Sequence, residues 1–151
     1  MLMAAIMLLM SMMASAAVPA WQCSFERQQD RTGWTVLTSG TPGSNTWKAG
    51  TATSYDGTHS FYITADGGQT AAYQENGAAC ITAYRKISLQ KGRYTFTCVY
   101  KARGGYGDYL NMAFSTARPT SASDLDDYSG FLLPSACYFQ QVNDTNPWLP
   151  N

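Results

Sequence analysis

The sequence predicts an all-β protein of antiparallel strands, arranged as a sandwich or a barrel. After the N-terminal stretch, apolar and polar residues alternate with a period of two, which is typical of strands with one buried face. Turn signals that contain glycine separate these runs about every ten residues, as they do in sandwiches and barrels. No helical period follows the N-terminal stretch, apart from a turn expected around Ser121–Tyr128. A parallel α/β fold is therefore excluded.

The two longest alternating runs predict the principal strands. Arg93–Lys101 alternates aromatic residues with threonine, and Ala79–Leu89 alternates in the same way. Aromatic and β-branched residues favour strands because they fit the pleated, half-buried surface of a sheet. The residues expected on the buried faces are Tyr94, Phe96, Cys98 and Tyr100 in the first run and Ile81, Ala83, Ile87 and Leu89 in the second.

Three shorter runs predict further strands at Tyr109–Phe114, Trp34–Thr38 and Ser60–Thr64. Between the strands lie turns that contain glycine, because glycine and Asp-Gly pairs tolerate the positive φ angles of tight hairpins. These turns are found at Gly40 with Pro42-Gly43, Asp56-Gly57, Asp66-Gly67-Gly68, Asn76-Gly77, Lys91-Gly92 and Gly104-Gly105.

The composition indicates a single domain with balanced charge. The chain has 151 residues, ten of them basic and ten acidic, and 13% of all residues are charged. A chain of this length can bury a sizeable core but is short for two domains. Lysine and arginine are neither abundant nor clustered. The sequence therefore lacks the basic footprint of a nucleic-acid-binding protein, and no nucleic-acid partner is expected.

The N-terminal residues predict export. Residues 1–13 are apolar except for Ser11, and Ala14-Ser15-Ala16 matches the A-x-A site of signal peptidase. We therefore expect residues 1–16 to form a signal-peptide helix that is removed, leaving a secreted or cell-surface protein without an integral membrane span. A membrane anchor is the alternative, but it needs about 20 apolar residues. The basic start of a signal peptide is missing, since no lysine or arginine precedes Arg27.

Export places the cysteines in a compartment where disulfides form. Four cysteines allow three complete pairings, and the residues leave open whether two, one or no disulfides exist. Metal binding by cysteine is not expected, because no C-x-x-C pair occurs and the single histidine, His59, is distant in sequence. The four cysteines are Cys23, Cys80, Cys98 and Cys137.

The sequence shows no catalytic constellation. A serine or cysteine hydrolase needs a base, and His59 lies in a turn that enters a strand, without a nucleophile-elbow motif. A glycosidase needs two carboxylates across a cleft, whereas the acidic residues here lie mostly in turns. We therefore predict that the protein is not an enzyme. The acidic residues considered are Glu26, Asp30, Asp56, Asp66, Glu75 and Asp108.

An ordered set of short motifs resembles the cleaved-adhesin and MAM-like jelly-roll domains of secreted and surface-anchored bacterial proteins. Such galactose-binding-like domains often occur beside fibronectin type III modules. The motifs span roughly residues 25 to 115. They are Phe25-Glu26, Gly33-Trp34, Trp47-Lys48 with Gly50, the run from Ser54 to Ile63, Asp66-Gly67-Gly68, Ala83-Tyr84-Arg85, the run from Lys91 to Phe96, Tyr100-Lys101 and Asp108-Tyr109-Leu110.

This resemblance implies an antiparallel jelly-roll β-sandwich over residues 21–151. It also implies a structural Ca²⁺ held through Glu26 of the Phe-Glu pair, with Asp56 near it, since calcium prefers oxygen ligands. The family usually closes with a Trp-led strand and a strand that carries an Ile-Asp pair, whereas three residues follow Trp148 here. We therefore expect the last strands to be missing and further domains to belong to the full-length protein. A second departure is Cys98, which replaces an aromatic core residue of the family.

Aromatic residues in or beside loops indicate where a ligand would bind. Flat rings with hydrogen-bonding neighbours can hold sugars. The expected ligand-binding residues are Tyr106, Trp47, Tyr55 and Tyr109, although Trp47, like Tyr62, also suits the core. The predicted function is a non-catalytic extracellular binding or adhesion module for a carbohydrate or a surface protein. The alternative is a structural spacer or accessory domain of a larger secreted protease or glycoside hydrolase.

Overall fold

The computed structural model describes residues 19–74, 79–101, 109–125, 139–142 and 149–150. Most of the regular structure in these residues is β-strand, which confirms the predicted β-rich character. The signal peptide expected at residues 1–16 lies outside the described residues. The elements in chain order are α1 (Gln28–Arg31), β1 (Thr35–Gly40), β2 (Thr46–Gly50), β3 (Ser60–Thr64), β4 (Ala79–Tyr84), β5 (Val99–Tyr100), β6 (Tyr109–Met112), a 3-10 turn (Ala122–Leu125), β7 (Phe139–Val142) and β8 (Leu149–Pro150).

The described strands form four antiparallel pairs. β1 pairs with β4 and β2 with β3, while β5 pairs with β8 and β6 with β7. In each half of the chain the two pairs are nested in sequence. The strands β2 and β3 come between β1 and β4 along the chain, and β6 and β7 come between β5 and β8. The 3-10 turn lies against β1 and β4. The antiparallel pairing agrees with the sequence, and the stacking of these pairs as a jelly roll stays a prediction.

Three of the predicted strands are found close to their expected bounds. Ser60–Thr64 is confirmed as β3. The strand predicted at 34–38 begins one residue later and continues to Gly40, and the strand predicted at 109–114 ends at Met112. Four elements were not predicted, namely the single helical turn α1 and the strands β2, β7 and β8.

The strand predicted at 79–89 ends at Tyr84, and its most buried side chain lies on the face opposite to the expected one. Thr82 is 6% exposed, whereas Ile81 and Ala83 are half-buried. The Thr82 hydroxyl donates a hydrogen bond to the carbonyl of Ala122 at 2.7 Å. The 3-10 turn thus covers the threonine face, which the sequence pattern alone assigned to solvent.

The prediction of a half-buried strand at 93–101 is wrong for most of its length. Only Val99 and Tyr100 form a strand, β5, in the structure. The rings of Tyr94 and Phe96 are 45% and 48% exposed. Within the described residues no neighbouring strand accompanies this segment before β5, and a strand needs such a partner to satisfy its backbone.

Four aromatic rings form the centre of the N-terminal half. The Phe61 ring in β3 lies between the rings of Trp34, Trp47 and Phe25, at centroid distances of 4.5, 5.4 and 5.5 Å. Each ring is half-buried. Offset stacking of this kind contributes about 0.5–1.5 kcal/mol per pair beyond the area buried. On the other face of β3, the side chains of Tyr62 and Thr64 are buried.

Buried polar groups in the described part of the chain are paired. No buried side-chain nitrogen or oxygen there lacks a hydrogen-bond partner. The sulfurs of Cys23, Cys80 and Cys98 are free thiols, and Cys137 lies outside the described residues. Burial raises the pKa of the Cys23 and Cys98 thiols. Among the residues described, none of the helices has the length and apolar character that a membrane span requires.

Candidate functional site

The loop between β2 and β3, residues 51–59, presents two of the predicted site residues, Tyr55 and Asp56. Its turn is closed by local bonds, since the Ser54 hydroxyl donates to the carbonyl of Gly57 at 3.2 Å. The backbone N–H of Gly57 donates to Oδ1 of Asp56 at 2.8 Å. Gly57 has φ +70°, a left-handed conformation that favours glycine. We refer to residues 51–59 as the β2–β3 loop.

The carboxylate of Glu26 fixes this loop from a distant part of the chain. Oε1 accepts hydrogen bonds from the backbone N–H groups of Thr58 and His59, at 2.8 and 2.7 Å. Oε2 accepts a bond from the Thr58 hydroxyl at 2.9 Å and lies 3.3 Å from Nδ1 of His59. A Cβ atom at Gly57 would lie 2.5 Å from Oε1, so only glycine allows this close approach.

These donors change the acidity of Glu26. The backbone N–H of His59 and then that of Thr58 contribute most to lowering the pKa of Glu26 from 4.5 to about 2, and the Thr58 hydroxyl adds to their effect. The cause is that hydrogen bonds to a carboxylate favour its charged form. Glu26 is therefore an anion at every pH at which the protein would function, and the loop is held by charge-assisted hydrogen bonds.

A left-handed backbone at Phe25 places the Glu26 side chain. Phe25 has φ +64°, which costs a non-glycine residue about 1–3 kcal/mol unless its surroundings enforce it. Two contacts enforce it here. The Phe25 ring stacks on Phe61 with an interplanar angle of 4°. The Arg31 guanidinium donates hydrogen bonds to the carbonyls of Phe25 and Glu26, at 2.8 and 2.5 Å.

Asp30 organises the same N-terminal segment, a role that no sequence motif indicates. Its carboxylate is buried and accepts hydrogen bonds from the side chains of Arg27 and Ser24. Its backbone carbonyl accepts bonds from Nε1 of Trp34 at 2.9 Å and from the Arg85 guanidinium at 3.0 Å. The Arg27 side chain is the main cause that lowers the pKa of Asp30. Asp30 lies in a run of polar residues with no motif of its own, so only the structure reveals it.

His59 lies in the loop as expected, directly before β3. Its Nδ1 atom is 2.7 Å from the Thr58 hydroxyl and 3.3 Å from the Glu26 carboxylate. A catalytic triad requires the nucleophile on one ring nitrogen and the carboxylate on the other. Here both groups contact the same nitrogen, so these three residues do not have the geometry of a triad.

Tyr55 is the most exposed large hydrophobic side chain in the described part of the chain. It lies at the tip of the β2–β3 loop and is 63% exposed. Asp56, its neighbour, is also exposed. The structure therefore places two predicted site residues, Tyr55 and Asp56, on one loop, and a third, Glu26, against the base of that loop.

Trp47 belongs to the aromatic centre and is not a loop residue. Its ring stacks on Phe61, and its Nε1 donates to the carbonyl of Ile81 at 2.7 Å. The indole is half-buried, with its polar atom already paired. Its role in ligand binding stays a prediction, while its second predicted role, in the core, agrees with these contacts. Tyr106 and the side chain of Tyr109 lie outside the described residues.

Hydrogen-bond donors surround the carboxylates of Glu26 and Asp56, the two residues expected to hold a calcium ion. Both oxygens of Glu26 accept hydrogen bonds from the loop, and Oδ1 of Asp56 accepts one from Gly57. No cluster of three or more potential metal ligands among His, Cys, Asp and Glu occurs in the described residues. Because N–H groups and the Thr58 hydroxyl point at carboxylate oxygens that a cation would use, this arrangement does not fit Ca²⁺. A calcium site at Glu26 and Asp56 is therefore an expectation from the resemblance alone.

A second turn next to the β2–β3 pair is also fixed by a carboxylate. Oδ1 of Asp66 accepts bonds from the Thr64 hydroxyl and from the backbone N–H groups of Gln69 and Thr70, at 2.8, 2.9 and 3.0 Å. The hydrogen bonds from Thr70 are the largest cause that lowers the pKa of Asp66. This carboxylate is used by its own turn, which is the conformational role predicted for aspartate here.

Comparison with protein-family models, with curated proteins and with solved structures finds no match for this chain. The resemblance to adhesin-type domains thus stays a prediction from short motifs.

Proposed function

We propose that the protein is a non-catalytic extracellular binding module that contacts its ligand through the β2–β3 loop. The observation that carries this proposal is the exposed ring of Tyr55 on a loop whose base is fixed by Glu26. A rigid aromatic anchor binds at low entropic cost, because little freedom is lost when the ligand arrives. Glu26 supplies that rigidity through charge-assisted bonds to two consecutive backbone N–H groups.

The ligand class that suits this loop best is a carbohydrate. A sugar ring has an apolar face, which packs on an exposed aromatic ring, and hydroxyls, which need hydrogen-bonding partners. The exposed residues beside Tyr55 are polar, namely Asp56 and Thr58. A protein surface is the second candidate, since exposed tyrosine is also enriched at protein interfaces.

A glycan-array screen with the whole chain tests the proposal. We expect selective binding that Tyr55→Ala weakens by about tenfold or more, as loss of a central aromatic anchor does. Tyr55→Phe is the matched control, because it keeps the ring and removes only the hydroxyl, and it should retain most of the binding. Gly57→Ala should weaken binding without removing the ring, because the added Cβ displaces the Glu26 carboxylate.

Thermal unfolding of each variant separates loss of the ligand from loss of the fold. A folded sample that binds no glycan would reject the carbohydrate ligand and favour the spacer or accessory role. Glycan binding that Tyr55→Ala leaves unchanged would place the site elsewhere and reject the loop. Binding weakened by Tyr55→Ala and by Gly57→Ala, but not by Tyr55→Phe, would support both the ligand class and the rigid loop.

A further inference from the structure

The chain contains two Asp-Gly pairs, Asp56-Gly57 and Asp66-Gly67, and all four residues are exposed. An Asp-Gly bond can rearrange without an enzyme, because the backbone nitrogen of the glycine can attack the side-chain carboxyl carbon of the aspartate. Glycine permits this attack best, since it has no Cβ to block the approach. The two pairs share residue types and exposure, so a difference in their reactivity must come from local geometry.

At Asp56 the reacting groups already lie together. The backbone N–H of Gly57 donates to Oδ1 of Asp56 at 2.8 Å, which holds the attacking nitrogen beside the carboxyl group. The Ser54 hydroxyl holds the Gly57 carbonyl at 3.2 Å, so the turn keeps this arrangement. Groups held in contact react faster, because the loss of freedom needed to bring them together has already been met by the fold.

At Asp66 other donors hold the carboxylate. Oδ1 accepts hydrogen bonds from the Thr64 hydroxyl and from the backbone N–H groups of Gln69 and Thr70, and Oδ2 accepts one from the Thr70 hydroxyl at 2.7 Å. Within the described residues, the N–H of Gly67 is not among these donors. The bonds from Thr70 are also the largest cause that lowers the pKa of Asp66. An ionised carboxylate gives up an oxygen less readily than the neutral acid, which releases water.

We propose that Asp56-Gly57 is a site of spontaneous isoaspartate formation, whereas Asp66-Gly67 is protected by its own turn. The Gly57 nitrogen forms a bond to Cγ of Asp56, the bond from Cγ to its hydroxyl breaks, and the amide proton leaves with that hydroxyl as water. The product is a succinimide ring. Water then adds to either carbonyl of the ring and opens it, which gives back aspartate or gives isoaspartate, whose main chain runs through Cβ and Cγ.

The rearrangement changes the loop where Glu26 holds it. Isoaspartate adds a methylene group to the main chain directly before Gly57, and the next two backbone N–H groups are those of Thr58 and His59, which donate to Oε1 of Glu26. Gly57 itself lies against that carboxylate. We therefore expect the modified β2–β3 loop to lose its bonds to Glu26. The reaction does not depend on what the loop binds, so it stands apart from the proposed function.

Peptide mapping of the whole chain after storage at physiological temperature tests the site. Chymotrypsin cuts after aromatic residues such as Tyr55, Tyr62 and Tyr73, which places residues 56 and 66 in different peptides. An isoaspartyl methyltransferase then labels the product. We expect it to accumulate about tenfold or more faster at residue 56 than at residue 66. The same chain unfolded in guanidinium chloride is the matched control, because both pairs should react at similar rates there.

Asp56→Glu supplies a second control, because it keeps the charge but would have to close a larger, less favourable ring. The label at this position should then be lost. Storage of the wild-type chain should speed amide exchange at Thr58 and His59, and storage of Asp56→Glu should not. Circular dichroism of the fresh variant checks that its fold is retained.

The folded and unfolded rates together decide the proposal. Faster reaction at residue 56 than at residue 66 in the folded chain, with similar rates in the unfolded chain, would support it. Equal rates in the folded chain, or no product at residue 56, would overturn it, because the observed geometry would then have no effect. Isoaspartate at residue 56 without faster exchange at Thr58 and His59 would overturn the release of the loop from Glu26.

Discussion

Oε1 of Glu26 lies 2.7 Å from the backbone nitrogen of His59, although 33 residues separate the two in sequence. This bond joins the segment before β1 to the loop before β3. The N-terminal segment is therefore part of the candidate site, because it fixes the loop that presents Tyr55. A change at Glu26 should be felt at that loop without any change to the loop's own sequence.

Glu26→Gln should loosen the β2–β3 loop. The amide of glutamine keeps one oxygen but directs an NH₂ group at donors of the loop, so at least one of the present hydrogen bonds is lost. We expect Tm to fall by several degrees and the amide protons of Thr58 and His59 to exchange faster. Asp56→Asn is the matched control, because the Asp56 carboxylate accepts only a local bond from Gly57. Equal amide exchange in the two variants would contradict the role assigned to Glu26.

Acid should weaken the same attachment. The pKa of Glu26 is lowered in the folded protein from 4.5 to about 2. A lowered pKa means that the unfolded chain binds the proton first as the pH falls. The stability that ionised Glu26 contributes is therefore fully present above pH 4.5 and is lost as pH falls towards 2. Asp66, Asp30 and Asp124 have lowered pKa values as well, so acid acts on several carboxylates together.

The Glu26→Gln variant isolates the contribution of Glu26 to that acid response. Stability curves of wild type and variant, measured by denaturant unfolding at each pH, should lie furthest apart above pH 4.5 and converge towards pH 2. A constant difference in stability across this range would mean that the pKa of Glu26 is the same in the folded and unfolded states.

Calcium should leave the stability of the wild-type chain unchanged. Loop N–H groups already donate to Oε1 of Glu26 and the Thr58 hydroxyl donates to Oε2, so an ion could bind there only by displacing these donors. Thermal unfolding with calcium and with a chelator checks this, with magnesium as the control cation. A rise of Tm in calcium that Glu26→Gln and Asp56→Asn abolish would instead support the calcium site that the resemblance implies.

Asn45→Ala should destabilise the β2–β3 half of the fold. Asn45 is 8% exposed, and its side chain both donates a hydrogen bond to the backbone of Gln74 and accepts one from it. Its Nδ2 donates to the Gln74 carbonyl, and the Gln74 N–H donates to its Oδ1, each at 2.8 Å. Loss of both removes two hydrogen bonds that join the start of β2 to residue 74, and a typical bond of this kind contributes about 0.5–1.5 kcal/mol.

Denaturant unfolding measures that loss, and two further variants define its cause. Asn45→Asp keeps the acceptor but removes the donor, so it should be destabilising as well. Ser44→Ala, at the exposed neighbouring position, should stay close to the wild type. An Asn45→Ala variant as stable as Ser44→Ala would show that the paired bonds contribute little.

The sequence predicted strands best where a side-chain pattern and a pairing partner coincide. β3 has the expected bounds, because Phe61 and Ile63 face one side, Tyr62 and Thr64 the other, and β2 lies directly beside it. The run at 93–101 carries an even clearer pattern, yet it is a strand only at Val99 and Tyr100. Period-two alternation describes side chains and says nothing about which backbone will supply the hydrogen bonds.

The candidate site could be predicted only in part for a similar reason. The family resemblance implies Glu26 and Asp56 as metal ligands, and the structure does bring Glu26 to the loop that contains Asp56. What the sequence does not reveal is that backbone N–H groups, which every residue except proline has, donate hydrogen bonds to the carboxylate. Nor does it reveal the left-handed Phe25 that aims Glu26 there, since aromatic residues rarely adopt that conformation.

The nesting of the strand pairs has a consequence for the order of folding. An inner pair such as β2–β3 closes a short loop, and once formed it shortens the effective loop that the outer pair, β1–β4, must close. The C-terminal half follows the same plan, but its outer pair joins Val99 and Tyr100 to Leu149 and Pro150. During synthesis from the N-terminus, β5 therefore waits until residues 149–150 have left the ribosome, so this half forms after the N-terminal half.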